Sequence, residues 1–107
     1  MKRYGHLIKL KDEKVEEYKK LHQAVWEGVL ERIYQSNIRN YSIFYRDGFL
    51  FSYYEYIGTD YEADMAAIAA DPTTQQWWEL TIPCQEPLNT CKEGEWWAKM
   101  EEVFHVD

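Results

Sequence analysis

The chain has 107 residues, about the modal length of one domain, so we expect a single domain over residues 1–107 with one hydrophobic core. Its formal net charge of −7 at pH 7 disfavours a nucleic-acid partner, because phosphate binding requires clustered Lys and Arg. No segment approaches the roughly 18 apolar residues of a membrane span, and the N-terminus lacks the apolar region of a signal peptide. These features predict a soluble, cytoplasmic protein with neither a nucleic-acid nor a membrane partner.

The first third of the chain predicts a strand followed by one long helix. YGHLIK at residues 4–9 has the composition of a short strand. Apolar residues then recur at intervals of three and four from Val15 to Ile33, which is the helical period, and Asp12 offers an N-cap before them. We therefore predict a single helix over residues 12–35.

The middle of the chain predicts a β-hairpin. Two runs rich in β-branched and aromatic residues, at 38–46 and 49–56, flank Asp47 and Gly48, a pair typical of a type I′ turn. Alternation along the first run puts apolar or aromatic side chains on both of its faces. One face is therefore expected to meet helices and the other a partner.

The remainder predicts two short helices, a long loop and a closing strand. TDYEADMAAIAAD after Gly58 supports a helix of about ten residues that Asp71 and Pro72 end, and TTQQWWEL reads as another. The segment at 82–94 contains two prolines and a glycine and is longer than ordinary connections, a length that is often functional. The last segment, MEEVFHV, can close the sheet as a strand.

This order of elements is β-α-β-β-α-β, which predicts an α+β, ferredoxin-like fold. In that fold a four-stranded antiparallel sheet carries both helices on one face and leaves the other face bare. The bare face of this sheet would carry several aromatic side chains. A second copy covers such a face most simply, so the sequence predicts a homodimer.

The cysteines and histidines are too scattered for a metal site or a disulfide framework. Cys84 and Cys91 are the only cysteines, and no histidine lies at zinc-ligand spacing from them, so we interpret both as free thiols. His6, His22 and His105 are far apart along the chain, and none belongs to an HxH or HxxE ligand set. No metal ligand is therefore predicted.

His22 is the leading acid–base candidate, because imidazole exchanges protons near neutral pH. Tyr18, His22 and Trp26 are spaced four residues apart, so on a helix they share one edge. The residues alone leave two interpretations of His22 equally open: a proton-transfer group beside Tyr18, or a core histidine bonded to a backbone carbonyl. His6 and His105 lie in terminal strand candidates and are interpreted as structural or exposed.

Two tryptophan doublets are the other unusual feature. Consecutive helical residues point about 100° apart, so Trp77 and Trp78 cannot both lie fully in one core. At least one should face an interface or a ligand cleft, where an indole can pack on the C–H face of a sugar. Trp96 and Trp97 end the long loop and are interpreted as packing or lid anchors. The chain lacks a Gly-rich phosphate loop, GxSxG and a catalytic-cysteine signature, which disfavours nucleotide-dependent chemistry and acyl transfer.

Four segments, taken together, resemble the L-rhamnose mutarotase family: EEYKKLHQAVW at 16–26, NYSIF at 40–44, QQWW at 75–78 and the closing MEEVFHV. The resemblance spans nearly the whole chain. It implies a dimeric, cofactor-free isomerase that interconverts the α and β anomers of L-rhamnose. It also implies residue roles: His22 as the proton donor, and Tyr18, Tyr41, Trp77 and Trp78 as sugar contacts.

The sequence leaves open which sugar is the substrate, and two other classes of function also fit it. The loop TIPCQEPLNTCKEGEWW is unusually rich in acids, prolines and aromatics, which leaves the sugar open between L-rhamnose, L-fucose and another deoxy-sugar. Cofactor-independent monooxygenases and haem-degrading proteins share the dimeric ferredoxin-like scaffold, so they are the second candidate class. A non-catalytic sugar-binding domain with the same cleft is the third, and replacing His22 would leave its function intact.

Overall fold

The computed structural model describes all residues, Met1–Asp107, as an antiparallel sheet with helices on one face. The strands are β1 Lys2–Leu10, β2 Ile38–Arg46, β3 Phe49–Tyr56, β4 Gln85–Glu86 and β5 Ala98–Met100. The helices are α1 Val15–Leu21, α2 Glu27–Gln35, α3 Tyr61–Ala70 and α4 Pro72–Thr81, with 3₁₀ turns at Asp12–Lys14 and Ile82–Cys84. None of the helices has both the length and the apolar composition needed to cross a membrane.

The sheet confirms the predicted α+β, ferredoxin-like fold. Its strands run in the order β2-β3-β1, and both β4 and β5 pair with the remaining edge of β1. Every pairing is antiparallel. Two short strands thus occupy the edge where one closing strand was expected.

The β2–β3 hairpin forms over the predicted residues, closed by Asp47 and Gly48. Both have positive φ, 51° and 83°, as a type I′ turn requires. The register pairs Phe44 with Phe51, and alternation puts this pair on the face of the sheet away from the helices. We call that face the outer face.

The hydrophobic core lies between the other face of the sheet and α1. It consists of a buried cluster of five side chains: Ile8, Leu10, Tyr18, Leu50 and Cys84. Burying an aliphatic or aromatic side chain of this size stabilises a fold by about 1.5–3 kcal/mol. Tyr18 is therefore held in place by the core itself.

The prediction of a single helix over residues 12–35 was wrong, because the helix is interrupted at His22–Trp26, between α1 and α2. At the break the backbone carbonyl of Tyr18 accepts the backbone N–H of His22 and also bonds its ring Nδ1. Trp26 is extended, with φ −62° and ψ 137°, so helical hydrogen bonding cannot propagate through it. The break turns His22 and Trp26 towards α4.

The closing strand is shorter and earlier than predicted. β5 ends at Met100, and the remainder of MEEVFHV has no regular structure, so that prediction was wrong beyond its first residue. Glu101 and Glu102 have low strand propensity, and Glu102 instead forms a 2.9 Å ion pair with Arg3. We call residues 101–107 the C-terminal tail.

One Asp-Pro step ends α3 and begins α4. α3 stops at Ala70, as predicted, and Pro72 occupies the first turn of α4, where no N–H donor is needed. The carboxylate of Asp71 accepts the backbone N–H of Thr74 at 2.9 Å and its hydroxyl at 2.8 Å. This N-cap fixes the start of the helix that carries Trp77.

Removing the N-cap should destabilise the protein without changing its fold. Asp71→Ala deletes both bonds to Thr74, and we expect the free energy of unfolding to fall by about 1 kcal/mol, as for other N-caps. Urea unfolding followed by tryptophan fluorescence measures it. Asp12→Ala is the matched control, because the 3₁₀ turn that starts there has no side-chain cap. Equal losses in the two variants would contradict the capping role of Asp71.

Candidate functional site

A cavity of about 690 Å³ lies between the sheet and the helices, with a mostly aromatic and aliphatic wall. Its volume is in the range of small-molecule sites. All five residues that the sequence predicts as site residues line it: Tyr18, His22, Tyr41, Trp77 and Trp78. They come from α1 and its C-terminal end, from β2 and from α4, so the fold brings them to one place.

The rings of Tyr18 and His22 are stacked, with centroids 4.2 Å apart. His22 directly follows α1, and its Nδ1 lies 2.9 Å from the backbone carbonyl oxygen of Tyr18. A carbonyl can only accept, so Nδ1 carries a proton and Nε2 is the nitrogen left for a ligand. Nε2 accepts a proton when the ring is neutral and donates one when the ring is charged.

Burial and a hydrogen bond shift the pKa of His22 in opposite directions. Burial lowers it, because the charged ring loses water, and the hydrogen bond to the Tyr18 carbonyl raises it. Burial is the larger effect, so the pKa lies below its ordinary value of 6.5. The ring is therefore mainly neutral at pH 7, with its charged form stabilised by the carbonyl.

A chain of hydrogen bonds fixes the hydroxyl of Tyr18. The indole Nε1 of Trp96 donates to Oε1 of Gln85 at 2.7 Å, and Nε2 of Gln85 donates to the Tyr18 hydroxyl at 3.3 Å. The hydroxyl oxygen is thus already an acceptor, and its proton is free for a ligand. Burial raises the pKa of Tyr18, so the group is a hydrogen-bond donor at neutral pH.

Tyr41 reaches the cavity because β2 contains a bulge. The register against β3 shifts between Arg39 and Ser42, where Asn40 has a φ of 51°. The extra residue puts Tyr41 on the helix-facing side, with its ring 5.4 Å from that of Tyr54. Although 43% of Tyr41 is exposed, burial of its hydroxyl raises its pKa to about 12.

The tryptophan doublet of α4 divides as helix geometry requires. Trp77 is only 5% exposed, and its ring makes edge contacts with His22 at 5.4 Å and Trp26 at 5.3 Å. Trp78 is half-buried and lines the cavity. Trp77 therefore supports the imidazole, and Trp78 presents a ring to the interior.

The sequence did not assign His6, Gln85 or Trp96 to the site, and all three line the cavity. Gln85 and Trp96 come close to α1 only because β4 and β5 pair with β1, and no spacing in the sequence marks that. For His6 a signal existed. It alternates with Ile8 and Leu10 along β1, and both of those belong to the core, so period two places His6 on the helix-facing side.

The cysteines lie outside the cavity wall, and the prediction of free thiols is confirmed. Burial and the neighbouring Glu17 carboxylate raise the pKa of Cys84 to about 11, which keeps its thiol protonated. No group of three or more His, Cys, Asp or Glu side chains is placed to hold a metal ion.

The lowered pKa of His22 makes stability depend on pH in a defined window. The unfolded chain binds this proton more readily than the folded ring, so the free energy of unfolding falls as pH drops below about 6.5. His22→Gln removes this contribution. Urea titrations at about pH 7.5 and 5.5 should therefore show a smaller pH-dependent loss in the variant than in the wild type. Equal losses in the two proteins would contradict the lowered pKa.

Comparisons with known proteins cover nearly the whole chain. The family profile described as L-rhamnose mutarotase matches residues 3–106. A UPF0734 protein of Dictyostelium discoideum is 32% identical over 114 residues, covering 99% of this chain and 90% of that protein. The L-rhamnose mutarotase of Oceanobacillus iheyensis is 27% identical over 113 residues, covering 100% of both. The crystal structure of an L-rhamnose mutarotase from Formosa agariphila shares the fold, with a TM-score of 0.77, 19% identity and 100% coverage of both chains.

Proposed function

The chain belongs to the L-rhamnose mutarotase family, and we propose that it is a cytoplasmic isomerase that interconverts the α and β anomers of L-rhamnose or a related deoxy-sugar. One observation carries the proposal. His22, with Nε2 free, lies in the same cavity as a tyrosine hydroxyl whose proton is free and a tryptophan ring that faces the interior.

Mutarotation needs groups that transfer protons and a site that holds the sugar ring, and it consumes no other reagent. A proton is added to the ring oxygen and one is removed from the anomeric hydroxyl. The bond between the anomeric carbon and the ring oxygen breaks as the carbonyl double bond forms. The aldehyde then rotates and the ring closes on its other face. General acid–base assistance typically accelerates such steps about 10² to 10⁴-fold.

In this mechanism His22 is the proton donor to the ring oxygen. Its charged form carries a proton on Nε2 while the carbonyl of Tyr18 holds Nδ1, so the ring keeps its orientation in both charge states. When the sugar closes again, the neutral ring takes the proton back. The Tyr18 hydroxyl, fixed by Gln85, donates a hydrogen bond to a sugar hydroxyl.

The remaining wall suits a deoxy-sugar. Tyr41 offers a hydroxyl, and the ring of Trp78 can pack on the C–H face of the sugar. Another part of the wall is aliphatic and comes from α2 and α3, with contributions from Leu30, Ile33 and Ile68. A methyl group fits such a surface better than a hydroxymethyl group, because a buried hydroxyl without a partner is destabilising.

The proposed activity is tested by exchange NMR on the anomeric protons of L-rhamnose, L-fucose and D-glucose. We expect the wild type to accelerate exchange most for a deoxy-sugar, and His22→Ala to lower the rate about 10²-fold or more, because it removes the proton donor. Gln23→Ala is the control, since Gln23 is exposed beside His22 and outside the cavity wall. Sugar binding without accelerated exchange would favour the non-catalytic sugar-binding domain. Absence of both would favour the monooxygenase or haem-degrading class, which haem and quinol titrations then test.

We also propose that the protein is a homodimer in which a second copy covers the outer face. Phe44 is 63% and Phe51 38% exposed, and they are cross-strand neighbours, so they form one apolar patch. The tail does not cover this patch, because Glu102 is held by Arg3 and the apolar side chains after it are exposed. The same patch on two chains can pack about a twofold axis.

Introducing a charge on the outer face should separate the two copies. We expect the wild type to sediment as a dimer and Phe44→Asp as a monomer with unchanged circular dichroism, because a carboxylate buried in an apolar interface is strongly unfavourable. Leu80→Asp is the control, since Leu80 is similarly exposed but lies on α4. A monomeric wild type, or a Phe44→Asp variant that stays dimeric, would contradict this interface.

A further inference from the structure

Opening a sugar ring moves two protons, and His22 is placed to serve one of them. Its Nδ1 is held by the carbonyl oxygen of Tyr18, so only Nε2 faces a ligand. An imidazole with both nitrogens free could exchange protons at both ends. Because this one cannot, the proton of the anomeric hydroxyl needs another acceptor.

The cavity wall offers few groups that can accept this proton. It contains no carboxylate, lysine or arginine. Burial raises the pKa of Tyr18 and of Tyr41, so both phenols stay protonated and are weak bases. The hydroxyl of Tyr54 is bonded to that of Tyr61, and its pKa is raised as well. The one remaining group on the wall that titrates near neutral pH is His6.

His6 is held in place without using either ring nitrogen. Its ring stacks on that of Tyr54, with centroids 5.6 Å apart and planes at 18°, and lies 6.4 Å from the ring of Tyr4. Each of the other two histidines has a ring nitrogen bonded within the chain, at 2.9 Å in His22 and 2.7 Å in His105. Neither nitrogen of His6 has such a bond, so both are available to a ligand.

Burial favours the neutral form of both histidines, but the other groups around the two rings act in different directions. Burial lowers the pKa of His6, the positive charge of Lys99 on β5 lowers it further, and the Glu95 carboxylate raises it. The ring also lies against the phenol rings of Tyr4 and Tyr54. At His6 the charge of Lys99 therefore adds to the effect of burial, whereas at His22 the carbonyl of Tyr18 partly offsets it.

We propose that His6 is the catalytic base of ring opening, acting in the same cavity as the acid His22. This inference rests on the proposed mutarotase function and names the acceptor that His22 lacks. A ring nitrogen of neutral His6 takes the proton of the anomeric hydroxyl, the bond from the anomeric carbon to the ring oxygen breaks, and Nε2 of charged His22 protonates that oxygen. In ring closure each histidine reverses its role, so the pair ends with the proton count with which it began.

The first test compares His6→Phe and His6→Asn with the wild type in the exchange assay. Phenylalanine keeps the stacking on Tyr54 but cannot accept a proton, so we expect kcat to fall about 10²-fold with little change in KM. Asparagine keeps a hydrogen-bonding group without basicity, so it should not restore the rate. His105→Gln is the control, because His105 lies in the tail and outside the cavity wall.

The pH profile supplies a readout that a purely structural role would not change. Wild-type activity should fall at low pH, where His6 gains a proton, and at high pH, where His22 loses one. His6→Phe should lose the fall at low pH and keep the fall at high pH. Lys99→Met removes the positive charge that lowers the pKa of His6, so the fall at low pH should move to higher pH.

Each outcome separates this inference from the proposed function. The role of His6 would be overturned if His6→Phe kept the wild-type kcat or if His6→Asn restored it. It would also be overturned if the fall in activity at low pH occurred at the same pH in Lys99→Met as in the wild type. If His22→Ala is still inactive in those experiments, the mutarotase function stands. A wild type that accelerates the exchange of no sugar would overturn both.

Discussion

The hydrogen bond between Nδ1 of His22 and the backbone carbonyl of Tyr18 joins the backbone of this protein to its proposed chemistry. It occupies the carbonyl where α1 ends, fixes which imidazole nitrogen faces the cavity and keeps the ring stacked on Tyr18. The chain then turns so that Trp26 and Trp77 meet edge to edge. Because Tyr18 is itself part of the core, the position of the imidazole is fixed by the same packing that stabilises the fold.

The wall of the cavity carries no fixed charge, which narrows the ligands that it can hold. Lys, Arg, Asp and Glu are all missing from it, so a carboxylate or phosphate inside would lose water without gaining a permanently charged partner. Haem would bring its propionates into such a wall, whereas a neutral sugar needs only hydroxyl partners and apolar surface. The low polarity also strengthens each hydrogen bond made inside. A neutral monosaccharide therefore suits the site better than haem does.

Local signals predicted those parts of the fold that local chemistry determines. The Asp47-Gly48 turn and the end of α3 before Asp71 lie where the sequence placed them, because positive φ and a missing N–H act within a few residues. The break at His22–Trp26 could not be predicted, since the apolar period continues through it and a side-chain bond with tertiary packing interrupts it. The site divides in the same way. Spacing made His22 and Tyr18 candidates, and both line the cavity, whereas Gln85 and Trp96 depend on strand pairing across the sheet.

Two short strands share the edge of β1, and the segment between them can change in length without disturbing the sheet. The chain leaves the edge after Glu86 and returns at Ala98, and the excursion between them delivers Trp96 to the cavity. Insertions or deletions in that excursion would leave the pairing on both sides intact, because each strand is anchored by its own bonds to β1. The two proposed acid–base residues lie on β1 and at the end of α1, outside this segment. Under the proposed mechanism, changes in its length and composition can therefore alter sugar preference without moving the groups that transfer protons.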